Sequence, residues 1–330
     1  MRVLITGITG LVGSHLADYL LTHEGVEVIG FKRWRADDRT IRHLGQRVRL
    51  IEGDIEDAFS VATAIEQAQP DRIYHLAAQS YPSESWAAPA TTLQANVLGT
   101  VNVLEAVRRQ SPQTQVHIAG SAASYGLIRP DETPIIEDRP LRPLSPYGVS
   151  KAAQEMLGYQ YAQNYGMRIY LTRSFIHIGA RQDSRTSAQT FARQVAEAEA
   201  GLRSPVIEVG NLEPRRDYLD VADVVRALWL LLERGAPGEV YNLCSGAAPQ
   251  VRELLDIYLG LARVPLEVRV DPTRLRPADE PILVGDNRKL RAATGWQPEI
   301  SLAESLRRIL DYWRARVDQT QGRQDAKAQR

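Results

Sequence analysis

One cysteine, Cys244, stands in the whole chain, so no internal disulfide can form, and the residue reads as a small apolar member of "VYNLCSG" rather than as a nucleophile. The six histidines (His15, His23, His43, His75, His117 and His177) show no His-x-x-x-His spacing and have no companion cysteines, so no metal is expected. Charge of one sign is missing as well. Forty Lys and Arg balance 40 Asp and Glu for a formal net charge of +0, so no basic field favours nucleic acid, and the expected ligand is small and locally bound. Long hydrophobic runs are absent. The opening "MRVLITGITG" is broken by Thr and Gly before it reaches signal-peptide length, no later run could span a membrane, and a cytoplasmic protein is expected.

What is present is a chain of 330 residues, 44% hydrophobic, enough for about two domains with a core. Short apolar runs ("RVLITG", "VEVIGF", "RVRLIEGD", "RIYHLAA", "QVHIAGS", "RIYLTRS") alternate with amphipathic stretches ("SHLADYLLTH", "FSVATAIEQA", "TLQANVLGTVNVLEAVRR", "YGVSKAAQEMLGYQYAQNY"). Strand and helix in alternation predict an α/β doubly wound parallel sheet of Rossmann type, with ligands bound beyond the carboxyl ends of the strands. From about residue 175 the alternation loosens. The helical "VADVVRALWLLLERG" and the run "EVYNLCSG" return to the first domain, because their apolar faces need a sheet to cover. The expected organisation is residues 1–174 plus about 217–245 as a dinucleotide-binding domain, about 175–216 plus 246–315 as a smaller, discontinuous substrate domain, and 316–330 as a polar tail, of which "QTQGRQDAKAQR" is polar enough to be left disordered.

"TGITGLVG" sets Gly7, Gly10 and Gly13 between the first strand and the first helix, where backbone N–H groups can approach a pyrophosphate at the positive end of the helix. About twenty residues beyond Gly13 an acid would hold a ribose 2′-OH, and an arginine a 2′-phosphate. The count reaches Arg33 in "GFKRWR", with no acid before Asp37, so Arg33, alone or with Lys32 or Arg35, favours NADP(H); a solvated basic loop is the alternative. In "EGDIED", Asp54 can accept from an adenine amino group or cap the following helix. In "SPYGVSK", Pro146 suits a helix start, and four-residue spacing lays Tyr147 and Lys151 on one face.

Taken together, "TGITGLVG", "GDI", "HLAAQS", "NVLGT", "GSAASYG", "YGVSK", "RRDYLDVADV" and "GEVYNLCSG" resemble the extended short-chain dehydrogenase/reductase family over nearly the whole chain. Within it, "LRPLSPYGVSK", "VGNLEPRRDYLDVADVVRALWLL" and "LRPADEPILVGDNRKLRAATGWQP" look most like the GDP-6-deoxy-4-keto-mannose reductases, with the GDP-mannose 4,6-dehydratases as near relatives. The resemblance implies Tyr147 as acid/base, Lys151 also holding the nicotinamide ribose, and Ser121 of "GSAASYG" as the third catalytic member, with Ser124 its competitor out of register. A free phenol, with a pKa of about 10, needs such help. An ammonium at about 4 Å contributes roughly 4 kcal/mol at an effective dielectric of about 20. The implied cofactor set is Gly7, Thr9, Gly10, Leu11, Val12, Gly13, Arg33, Asp54, Ile55, Leu76, Ala77, Ala78, Asn96, Tyr147, Lys151 and His177; the implied substrate set is Ser85, Ser121, Arg181, Arg216, Arg276 and Asp279.

Three departures qualify the resemblance. Dehydratase relatives carry a Glu where Ala123 stands, and a methyl group cannot remove the sugar C5 proton. Relatives have Asn where "SFIHIGARQ" has Ile176, and Ser83 stands where lysine is frequent. The expected function is NADPH-dependent reduction of a GDP-4-keto-6-deoxy sugar at C4. Alternatives are a 4,6-dehydratase or C4 epimerase, and a non-catalytic NADP(H) sensor. The resemblance also implies a homodimer, through apolar faces of the helices at 92–109 and 148–165.

Overall fold

The computed structural model describes residues 1–274 and 281–328. In chain order the first half runs β1 (Arg2–Thr6), α1 (Leu11–Leu20), β2 (Glu27–Lys32), β3 (Arg49–Glu52), α2 (Ala58–Ala68), β4 (Arg72–His75), α3 (Pro82–Ala87), α4 (Pro89–Leu93), α5 (Gly99–Gln110), β5 (Gln115–Ser121), α6 (Pro146–Tyr165) and β6 (Ile169–Ser174). The second half adds β7 (Ile176–Ile178), α7 (Ser187–Glu199), β8 (Val206–Val209), β9 (Arg215–Arg216), β10 (Tyr218–Asp220), α8 (Val221–Arg234), β11 (Val240–Leu243), α9 (Val251–Leu261), β12 (Glu267–Val270), β13 (Ile282–Leu283), α10 (Arg288–Thr294) and α11 (Leu302–Ala328).

Successive side chains of a strand point to opposite faces, and β1 shows it. Val3 and Ile5 enter the core shared with α1 and α8, while Leu4 enters the core shared with α2 and α5. Seven parallel strands join in the order β11-β6-β5-β4-β1-β2-β3. This is the doubly wound arrangement expected from the alternation. The order reverses between β1 and β4, so the loops after Thr6 and His75 part there and leave a crevice at the carboxyl ends.

The helix α8 packs on α1, and β11 pairs with β6 at the sheet edge. A second core gathers Phe191 and Val195 of α7, Ile207 of β8, Leu254 and Tyr258 of α9, and Ile309 and Trp313 of α11. Two points differ from the expected boundaries. Leu290 of α10 and Trp296 pack into the core under α1 and α8, although 246–315 is expected to form one substrate lobe. The segment set apart as a polar tail from residue 316 is continuous with α11, which runs to Ala328, and its Val317 is buried in the second core. The cause is spacing, since Leu306, Ile309, Leu310, Trp313 and Val317 recur at three and four residues and keep one apolar stripe past the expected boundary.

Candidate active site

Gly10 precedes α1 with no side-chain cap, and no acidic residue stands in the first turn, so the leading N–H groups and the positive helix end face an anion without competition. Gly7 has φ +72, and a Cβ there would come within 2.8 Å of the Ala77 nitrogen. A Cβ on Gly13 would lie 2.8 Å from Ile8 Cα and closer still to the Gly7 carbonyl. Both glycines are therefore required where loop and helix meet. Leu11 and Val12 anchor the turn on the core beneath. Thr9 offers its carbonyl to the Thr40 hydroxyl at 2.8 Å, which ties the loop after β2 to the cradle.

Of the three basic candidates past β2, Lys32 pairs with Glu52 at 2.8 Å, and Arg35 lies over the Trp34 ring at 4.1 Å. Arg33 extends exposed from the same turn and makes no ion pair among the described residues. The cap of α2 is Asp57, whose carboxylate accepts from the Phe59 and Ser60 N–H groups at 3.1 Å each. Asp54 does not cap it; its Oδ1 closes a turn onto the Glu56 N–H at 3.1 Å. Ile55 is buried in packing against α5, and its carbonyl accepts from Asn102 at 3.0 Å.

Ser145 caps α6 through its hydroxyl, which accepts from the Gly148 N–H at 3.0 Å, and Pro146 opens the helix. Tyr147 and Lys151 follow on the buried face, at the carboxyl end of β5 where Ser121 sits. The Ser121 hydroxyl accepts from the Ala123 N–H at 3.2 Å. Burial raises the Tyr147 pKa, and the neighbouring Ser121 hydroxyl opposes the rise. Burial lowers Lys151 to about 7, and its ammonium donates to the Ala119 carbonyl at 2.8 Å. The ammonium lies 5.9 Å from the Tyr147 ring centroid, on the side of the ring that faces the end of β5.

A lattice of buried polar groups, not read from the sequence, fixes this corner. The Thr6 hydroxyl accepts from the N–H groups of Leu76 (3.2 Å) and Ala77 (3.1 Å) and donates to His75 Nδ1 (2.9 Å). The single proton of Thr100 goes to the Asn96 carbonyl at 2.6 Å, so His75 Nε2 and Gln154 donate to Thr100 Oγ1, at 3.0 and 2.6 Å. Burial, then the Lys151 charge, lowers His75 to about 3, which keeps it neutral. Asn96 is itself buried. Its amide is engaged with Gln79 N–H (2.7 Å), the Gln79 carbonyl (3.0 Å) and Ser150 Oγ (2.8 Å), and Ser150 donates to the Tyr147 carbonyl at 2.7 Å. Asn96 thus sets the loop carrying Leu76, Ala77 and Ala78 against the helix carrying Tyr147. Partners 50 or so residues apart leave no local pattern to read.

On the expected substrate side, His177 of β7 lies three residues past Ser174, the register partner of Ser121, and burial pushes its pKa down to about 4. Arg216 of β9 stands two residues before Tyr218, which pairs with Ile176. Its guanidinium donates to the Arg215 carbonyl at 2.9 Å. Two residues expected on the substrate side have partners within the chain. Ser85 is fully buried and donates its hydroxyl to the Pro82 carbonyl at 2.6 Å, because the short helix α3 turns it inward. Arg181, at φ +69, is turned back to α1, where it pairs with Asp18 at 2.7 Å and donates to the Thr40 carbonyl at 3.2 Å. Arg276 and Asp279 lie outside the described residues. Asp217, which was not singled out, is buried and accepts from Ser245 N–H and Oγ (2.7 Å each), Gly246 N–H (3.0 Å) and Gly285 N–H (3.3 Å). A separate cavity of about 790 Å³ opens at the amino-terminal end of the sheet, lined by Arg2, Gln69, Asp71 and Thr114, and holds none of the expected site residues.

Among the described residues there is no group of three or more His, Cys, Asp or Glu that could hold a metal, and no helix long and apolar enough to cross a membrane. The chain is 36% identical over 316 residues to the GDP-6-deoxy-D-mannose reductase of Pseudomonas aeruginosa, covering 96% of this chain and 98% of that one. It is 31% identical to the GDP-mannose 4,6-dehydratase of Yersinia enterocolitica, over 92% of this chain and 91% of the relative. Among solved structures, RMD of Pseudomonas aeruginosa complexed with NADPH superposes with a TM-score of 0.84 at 35% identity, over 96% of this chain and 99% of that one. The UDP-glucose 4-epimerase of Thermus thermophilus, complexed with NAD, matches with a TM-score of 0.84 at 31% identity, over 95% and 99%. The family model described as GDP-mannose 4,6 dehydratase matches residues 4–309, and the chain belongs to that family.

Proposed function

We propose that this chain reduces a GDP-4-keto-6-deoxy sugar at C4 with NADPH, giving a GDP-6-deoxyhexose of the GDP-rhamnose type. The observation that carries the reading is the Ser121, Tyr147 and Lys151 corner with Ala123 beside it, a set that can pass a proton to a carbonyl oxygen and offers no carboxylate at the place where dehydration needs a base. Similarity to the reductase of Pseudomonas aeruginosa over almost all of both chains supports it.

The residues present fit the cofactor. Gly7 and Gly13 let the loop after β1 pack close on Ala77 and on its own backbone, α1 presents an uncapped end, and Arg33 is exposed in the loop after β2, where the family position for a 2′-phosphate falls. When bound, NADPH supplies the hydride that C4 takes up. The Tyr147 phenol, kept protonated by burial, gives its proton to O4, while Ser121 holds that oxygen in reach. Lys151 stabilises the negative charge left on the phenol. Arg216, with Arg276 and Asp279, would take the diphosphate and ribose of the substrate. A cytoplasmic setting is proposed as well, which a chain with one cysteine and hence no internal disulfide suits.

The test is NADPH oxidation with GDP-4-keto-6-deoxymannose as substrate. Turnover no faster than in the Tyr147→Phe protein defeats the reading. A second reading, dehydration or C4 epimerisation, draws on the similarity to the Yersinia dehydratase. GDP-mannose consumed without added NADPH would favour it. NADPH bound without turnover of any nucleotide sugar would favour a sensor instead.

The chain is further proposed to pair as a homodimer through α5 and α6. Val149, Met156 and Tyr159 share one face of α6, Met156 and Tyr159 being 60% and 55% exposed, and Leu98 at the start of α5 is 56% exposed.

A further inference from the structure

Tyr147, Lys151 and Glu155 follow one another at four-residue spacing on α6, a single stripe of one helix face. The third member does not serve Lys151. Its carboxylate is held by Arg173 of β6, which donates from Nε to Oε2 at 2.8 Å and from Nη2 to Oε1 at 2.6 Å, with both side chains largely buried. The same guanidinium donates from Nη1 to the Tyr125 hydroxyl at 2.9 Å and to the Glu137 carbonyl at 2.7 Å, and its carbon lies 4.7 Å from the Tyr125 ring centroid. Tyr125 ends the short turn Ala122–Ser124 that Ser121 caps, and its N–H donates to the Ala122 carbonyl at 3.0 Å. The Tyr125 hydroxyl then donates to Asn242 of β11 at 2.7 Å, and the Asn242 N–H donates to Glu137 Oε1 at 2.8 Å.

One buried cation therefore grips the turn that carries Ser121 and the helix that carries Tyr147 and Lys151. We infer that Arg173, acting through Glu155 and Tyr125, is a positioning residue that fixes the Ser121 hydroxyl against the Tyr147 phenol. The inference rests on the reading that those two groups act on the substrate. Stability alone is a poor reason for such an arrangement, since two desolvated charges hold a core no better than apolar side chains of the same volume. What a guanidinium adds is direction: a planar fork accepts a carboxylate in one geometry only. Occupying Glu155 also leaves the Lys151 ammonium on the Ala119 carbonyl, two residues before Ser121.

The test compares the full-length wild type with Tyr125→Phe, Arg173→Met and the double variant Arg173→Met with Glu155→Met. Three quantities are read: kcat with GDP-4-keto-6-deoxymannose, Tm, and the fluorine NMR resonance of fluorotyrosine at position 147, assigned by its loss in Tyr147→Phe. The single Arg173→Met, which strands the Glu155 charge, lowers Tm sharply, and the double variant recovers it. Positioning predicts that kcat in Tyr125→Phe and in the recovered double variant stays down about 10-fold or more, while the KM for NADPH changes less than about 2-fold. It also predicts that the Tyr147 resonance moves in both. A folded double variant or Tyr125→Phe protein with wild-type kcat and an unmoved resonance overturns the inference. Should the wild type itself turn over no substrate, the reductase reading falls, and the resonance alone judges the brace.

Discussion

The charge on Lys151 gives the most demanding test of the proposed chemistry. Burial holds its pKa near 7, so the ammonium is charged in acid and loses its proton as the pH rises through that value, well before an exposed lysine would. Taking the 5.9 Å to the Tyr147 ring as the separation, and an effective dielectric of about 20, the charge favours an ionised phenol by about 3 kcal/mol. That is about 100-fold in rate if it is fully expressed once Tyr147 has given up its proton. Lys151→Met should therefore lower kcat/KM for NADPH by up to about 100-fold at acidic pH. It should also abolish the decline that the wild type shows as the pH rises through about 7, leaving only a fall at alkaline pH from the phenol itself. The assay is NADPH oxidation with sugar and NADPH both well below saturation between about pH 6 and about pH 9, since the rate then reports the free protein. If the decline near neutrality survives in the methionine variant, another group causes it, and the electrostatic account of Tyr147 is wrong.

Three further outcomes follow from the same geometry. Arg33→Ala should weaken NADPH about 10-fold or more and leave NADH unchanged, as read by equilibrium binding of each; equal loss for both would remove Arg33 from the 2′-phosphate. Gly13→Ala puts a methyl against the Gly7 carbonyl and Ile8, so NADPH binding should fall below detection and Tm should drop, whereas unchanged binding in calorimetry would refute the cradle. Met156→Glu should shift the protein to monomers in analytical ultracentrifugation if α6 lies at a two-fold contact, with the circular dichroism spectrum unchanged.

The parallel sheet was legible because each of its strands carries its own signal. "RVLITG" is apolar on both faces, as a strand covered by helices on both sides tends to be, while "QVHIAGS" is buried on both faces with Val116 and Ile118 on one and Gln115 and His117 on the other. The second lobe gave less away. Its pairs, β8 with β12 and β9 with β13, are two to four residues long and join partners some 60 residues apart, and "RR" in β9 has no apolar alternation to announce a strand. The tail misled for a different reason. Its composition is polar on average, but folding depends on which face the few apolar residues occupy, and Val317 stands one helical turn beyond Trp313 on the stripe that α11 already buries.

The site divides along the same line. Gly13 and the Tyr147 and Lys151 pair have their constraining neighbours within a turn or two, so spacing alone pointed to them, whereas the close approach at Gly7 comes from Ala77, on a distant loop. Arg181 is expected in the substrate set from the resemblance alone, and here the left-handed backbone at 181 turns its guanidinium to Asp18 of α1, a long-range pairing no local pattern announces. The same reasoning strengthens the reading of Ala123. That position is held from both sides: its N–H is bonded to Ser121 Oγ, and its carbonyl lies against Gly148, where even an added Cβ would come within 2.6 Å. A residue fixed this tightly beside Ser121 and Tyr147 puts its side chain in one place. With a methyl there, the corner can protonate an oxygen but holds no carboxylate at that position to take a proton from carbon.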